Sequence, residues 1–136
     1  MKYKSGYKYI VAETLTIQSP YRPKNDLMGV CCGFVDLLKN GMLTIRKGYA
    51  WDGASGPAFD TKTIMRGSLF HDVSYQLMRE GSLSRDLKDT ADDWLIETCK
   101  EDGMWAARRA WVFWALDKFG SHSTEPESEP EIIEVP

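Results

Sequence analysis

The sequence predicts an α+β fold: a small N-terminal antiparallel sheet followed by a three-helix unit. Three observations carry that expectation. Apolar side chains alternate in short runs over residues 1–50, a Gly/Asp/Ser/Pro-rich stretch follows, and from residue 62 the apolar period lengthens to about 3.6.

Taken in order, Tyr7, Tyr9, Val11, Leu15 and Ile17 largely alternate, as strands with one buried face do. The apolar run Gly29-Val30-Cys31-Cys32-Gly33-Phe34-Val35 reads as a further strand that buries both cysteines. Asn40-Gly41 is a two-residue hairpin signal leading into Met42–Ile45, and Gly48–Trp51 continues the sheet. Residues 51–61, WDGASGPAFDT, predict a structured loop. Residues 62–79 predict a helix ending near Gly81, and Ser84 is a fair N-cap for a second running to about Glu101. Gly103 separates a third, 104–119, stopped by Gly120. Residues 1–120 thus form one domain, and the Pro/Glu/Ser-rich 121–136 predict a disordered acidic tail, which holds His122.

Composition narrows the function classes. A chain of 136 residues with 43% hydrophobic and 27% charged side chains suits one globular domain and excludes collagenous and disordered classes. The formal charge is −3, but the tail holds five of the twenty acidic residues and no Lys or Arg, leaving 17 basic against 15 acidic in residues 1–120. That balance predicts no nucleic-acid partner. The tail is a solubilising extension or a docking segment for a protein partner. Cys31, Cys32 and Cys99 read as reduced thiols, and the N-terminus lacks the apolar stretch of about 7–15 residues of a signal peptide, so a cytosolic location is expected. No apolar run reaches the roughly 18 residues of a membrane span.

The chemistry concentrates on the first two helices. At about 100° per residue, His71, Tyr75, Ser68 and Asp72 share one side of the first helix, while Leu69, Phe70, Val73 and Leu77 share the other. On the second, Leu87, Ala91, Trp94, Leu95 and Thr98 form the packing face; Asp92 borders it, and Asp89 and Asp93 point away. If these helices fold back across Gly81, Asp92 is the carboxylate best placed to reach His71. A carboxylate on one imidazole nitrogen fixes the tautomer and readies the other for general-base work on water. Asp72 serves the same cavity as a hard-cation ligand, and the WDGASGP loop offers Asp52, Gly53 and Gly56 with inward backbone carbonyls, which is calcium chemistry. The bland reading of that loop is a turn, with Ser55 as cap and Pro57 as stop. It is no nucleophile elbow, because Pro57 stands where G-x-S-x-G requires Gly. Likewise, a His-Asp pair on a helix is often only structural.

The third helix, with Trp105, Trp111, Phe113 and Trp114 around Arg108-Arg109, is apolar nearly all round. Core packing explains this first; a membrane surface or a protein partner is the alternative.

His71-Asp72-x-x-Tyr75 followed by Asp92, with the Asp52 loop 19 residues before the His, resembles the catalytic helix pair and calcium loop of the small bacterial and fungal secreted phospholipases A2. That resemblance, over residues 50–100, implies His71 as general base, Asp92 as its orienting carboxylate, Tyr75 in support, and Asp52, Asp72 and the loop carbonyls including Gly53 as calcium ligands. Residues 1–50 read as strands where those enzymes are helical, and Ala54 and Ser68 stand near the positions of their loop-to-helix disulfide. Gly48 to Pro57, His71 to Tyr75, Ser84-Arg85 to Asp92 and Phe119-Gly120 also resemble a phage- and prophage-borne family of small domains of unassigned activity. Together they imply a phage-encoded, calcium-dependent hydrolase in the host cytoplasm, acting on membrane phospholipid. The competing expectation is a non-catalytic virion component or host-factor binder, docking through the tail or third helix and keeping the site as a structural ion clamp.

Overall fold

Alternation in the first half becomes antiparallel pairing. The computed structural model describes residues 2–4, 9–51, 62–119 and 132–134. Its strands are β1 (Lys2–Lys4), β2 (Tyr9–Ile10), β3 (Leu15–Gln18), β4 (Leu27–Val30), β5 (Val35–Leu37), β6 (Met42–Ile45), β7 (Ala50–Trp51) and β8 (Ile132–Glu134). A four-stranded sheet runs β3-β6-β5-β4, β2 pairs with β7, and β1 with β8, all antiparallel. The period-2 register turns Leu43 and Ile45 of β6 inward beside Val35 and Leu37 of β5, all four fully buried. On the other face of β6, the Thr16 and Thr44 hydroxyls meet at 3.0 Å across the β3–β6 pair.

Three expectations need correction. Cys31 and Cys32 are not in a strand: they occupy the turn between β4 and β5, both with positive φ (52° and 59°), so that Cys31 is buried and Cys32 exposed. Gly29 and Gly33 are also left-handed there, and the chain reverses too sharply for extended backbone. The Asn40-Gly41 hairpin exists, but its loop is longer than two residues. Gly41 alone has positive φ, Asn40 does not, and a type I′ turn needs both; Gly41 N–H instead donates to Leu38 O, and Leu38 N–H to Met42 O. Finally, Ile132–Glu134, inside the segment expected to be disordered, pairs with Lys2–Lys4. Its β-branched Ile132 and Ile133 suit a strand once a partner edge is present.

The helices fall close to their expected positions: α1 (Lys62–Arg79), α2 (Lys88–Glu101) and α3 (Ala106–Phe119). Ser84 caps a 3-10 turn, Arg85–Leu87, by accepting from Asp86 N–H at 3.1 Å, and α2 starts only after it. α1 is the centre of the molecule. Every residue from 67 to 78 except His71 and Asp72 is buried, so the expected division into a packed and a polar face fails. Ser68, Ser74, Tyr75 and Gln76 are buried because each has a bonded partner. Tyr21 OH lies 2.7 Å from Ser74 Oγ, Tyr49 OH donates to Gln76 Oε1 at 2.7 Å, and Trp51 Nε1 donates to Ser68 Oγ at 3.1 Å. Three side chains from the β half are thus pinned to α1 at positions 68, 74 and 76.

On its other side α1 packs against α2. Phe70 stacks on Trp94 with centroids 4.8 Å apart, Tyr21 meets the same indole edge-on, and Arg66 reaches Glu101 and Asp102. Close approach is possible because Gly67 carries no side chain: a Cβ there would stand 2.6 Å from Leu95 Cδ1 and 3.2 Å from both Leu95 O and Cys99 Sγ. Leu95 and Cys99 are buried, and Leu95 O is backbone that no side-chain rotation moves aside. Gly67→Ala should therefore destabilise the protein by about 1–3 kcal/mol despite the better helix propensity of Ala, read as a lower urea midpoint. An unchanged or higher midpoint would show that the helices are not this close.

Candidate functional site

The fold-back of α2 on α1 brings Asp92 to His71. His71 Nε2 lies 2.7 Å from Asp92 Oδ1, and the two rings of His71 and Tyr75, one helical turn apart, stand 4.0 Å between centroids. Tyr75 OH donates to the same Oδ1 at 2.6 Å, and Lys88 Nζ donates to Oδ2 at 2.7 Å. Both carboxylate oxygens are thereby engaged by donors on two helices. Asp92 is only 3% exposed, whereas the His71 side chain keeps 11% of its surface in solvent.

Burial alone would raise the Asp92 carboxyl, but the hydrogen bonds from His71, Lys88 and Tyr75 outweigh it and hold the group below the usual carboxylate range. Asp92 is therefore ionised and accepts only, so His71 must donate through Nε2. Nδ1 is the nitrogen this pairing leaves for another partner. Burial first, and the bond to Asp92 second, push the Tyr75 phenol well above its ordinary value, which keeps it a donor at any working pH.

His71, Tyr75 and Asp92, the three catalytic candidates, are thus brought together, with Tyr75 bonded to the carboxylate directly. Lys88 was not foreseen. The signal was its i,i+4 spacing from Asp92 on one helix. Asp72, half-buried, follows His71 on α1 and is not among the partners of Asp92. Asp52 and Gly53 lie outside the described residues; Trp51, just before them, is the residue bonded to Ser68 of α1.

Among the described residues no group of three His, Cys, Asp or Glu side chains could hold a metal ion. Three donors already occupy Asp92, and Asp72 is the carboxylate next to His71 on α1. Calcium coordination, needing six to eight oxygens, would have to draw on residues outside those described. An open depression of about 420 Å³ lined by Thr63, Gly103, Met104, Trp105, Ala107 and Arg108 lies about two turns along α1 from His71 and holds none of the site's side chains. No described helix is long and apolar enough to cross a membrane.

The chain matches no family model, no curated protein and no solved structure. The functional reading therefore rests on its own residues.

Removing Asp92 strands Lys88 and His71 between two helices. Asp92→Ala should cost about 3–5 kcal/mol, the usual penalty for deleting one partner of a buried ion pair. Because the folded carboxyl titrates below its unfolded value of about 3.9, its stabilisation is complete above that pH and is lost as pH falls through the folded value. Urea unfolding across pH 2–6 should thus show a shallower acid loss in Asp92→Asn than in the parent chain; identical slopes would contradict an ionised Asp92.

Proposed function

We propose that the protein is a phage-encoded hydrolase of phospholipase A2 type, with His71 as the general base and ester-linked membrane lipid as substrate. The observation that carries this reading is the bond from Asp92, itself braced by Tyr75 and Lys88, to one nitrogen of a partly exposed imidazole. Such a pairing fixes the ring and stabilises the imidazolium that forms when the other nitrogen takes a proton. In the proposed step, Nδ1 of His71 removes a proton from water as its oxygen bonds to the ester carbonyl carbon. The same nitrogen then returns the proton to the departing alkoxide, yielding a fatty acid and a lysolipid. Asp92 holds the ring throughout, and Tyr75 keeps the carboxylate from rotating.

Calcium is the cation the resemblance implies, and when bound it would polarise the ester carbonyl and offset charge on its oxygen. Asp72 is the described candidate ligand, with Asp52 and Gly53 as candidates in the loop. The host cytoplasm is the location that goes with this reading.

One observation favours a second reading. Lys88 neutralises Asp92 in a nearly closed space between helices, which is what a structural brace requires. On that reading the protein is a non-catalytic virion component or host-factor binder, partnered through its tail or α3, and the site is a clamp.

The deciding experiment is fatty-acid release from phosphatidylglycerol/phosphatidylcholine vesicles, with calcium and with chelator. The hydrolase reading expects calcium-dependent release, reduced about 10²–10⁴-fold in His71→Gln with little change in melting temperature. No release by the parent chain, with calcium only raising the melting temperature, would overturn it in favour of the clamp.

A further inference from the structure

The third helix bears exposed aromatic side chains that the hydrolase reading does not use. α3 packs on α2 through buried Val112 and partly buried Leu116, and Ala115 is buried as well. The opposite side carries Phe113 (45% exposed), Trp114 (50%) and Trp111 (41%), and Trp105 (84%) stands just before the first turn. With about 150–250 Å² per aromatic side chain, these exposed portions present roughly 300–550 Å², as much as a whole monomer surface usually shows in its largest apolar patch.

The pattern on that face has a defined spacing. Ala106, Ala110, Phe113 and Asp117 recur at intervals of four, three and four, the seam of a helix that packs on another helix. Read against itself in the antiparallel sense, the seam is complementary. Ala110 falls opposite Phe113 of the second copy, a small residue against a large one, and Ala106 falls opposite Asp117. Trp111 and Trp114 share one flank, and a two-fold axis sets that flank against its own copy.

Asp117 supplies an independent argument. An acidic residue in the last turn opposes the dipole of its own helix, and Asp117 is exposed there. In the antiparallel pair it sits at the first turn of the second copy's α3, which has no acidic residue of its own, with Arg109 three residues further along. The charge that is unfavourable in one chain becomes favourable between two. The same carboxylate, at the end of the seam, disfavours insertion of that face into lipid.

We propose that the exposed face of α3 is a homodimer interface, formed by antiparallel packing of α3 on α3 of a second copy about a two-fold axis. Twice the aromatic surface above approaches the roughly 1,000 Å² at which specific interfaces begin, so the dimer is a reversible one. It holds whether or not His71 turns over substrate.

Sedimentation velocity on the full chain from about 1 to 200 µM should show a monomer–dimer equilibrium with a dissociation constant in the micromolar range. Phe113→Asp should leave only monomer, and Asp117→Lys should weaken dimerisation about tenfold or more, each with unchanged far-UV circular dichroism because both side chains are exposed. A monomer at every concentration would overturn the proposal, as would a dimer indifferent to both substitutions. A monomer that cosediments with phospholipid vesicles, and stops doing so in Phe113→Asp, would assign the face to lipid instead.

Discussion

The ionised carboxylate of Asp92, closed in between α1 and α2, is the constraint around which the helical half is arranged. A lone charge there would cost several kcal/mol in desolvation. It is tolerated because three donors converge on its two oxygens: an imidazole N–H and a phenol from α1, and an ammonium from the residue one turn earlier on α2. Each donor depends on the others' backbone. α1 must be a regular helix for His71 and Tyr75 to share a side, α2 must return antiparallel, and Gly67 must let the two axes approach. The β half contributes by fixing α1 from behind, through the tyrosine and tryptophan bonds to Ser68, Ser74 and Gln76.

Much of this was readable from residue order. Helical period plus a Gly81 turn dictates a hairpin of helices, and on such a hairpin Asp92 is the carboxylate that reaches His71. Four features were not readable, each for a physical reason. Buried Ser68 read as part of a polar face because its partner, Trp51, is 17 residues away in sequence, and the burial of Ser74 and Gln76 likewise depends on Tyr21 and Tyr49, 53 and 27 residues away. Cys31 and Cys32 adopt left-handed backbone that cysteine seldom takes, so nothing in their chemistry announced a turn. Lys88 stands four residues before Asp92, but spacing alone does not say whether its ammonium turns to a buried carboxylate or to solvent. The strand at Ile132–Glu134 depends on an edge supplied by the opposite end of the chain.

The third helix illustrates a further limit of pattern reading. A helix apolar on every side has no periodic signal to say which side the protein itself covers. Only the burial of Val112 and Ala115 shows that the large aromatics face out. α3 is not remote from the site, since Lys88 also reaches the Leu116 carbonyl at 3.4 Å, so the ammonium that neutralises Asp92 touches the helix that bears the exposed aromatics.

The most direct test of the central claim is where the proton sits on His71. Long-range ¹H–¹⁵N correlation of the imidazole in labelled protein should find Nε2 protonated at every pH at which the fold persists, since an ionised Asp92 can only accept. A neutral ring protonated on Nδ1, with Nε2 accepting, would require Asp92 to carry the proton and would contradict the account.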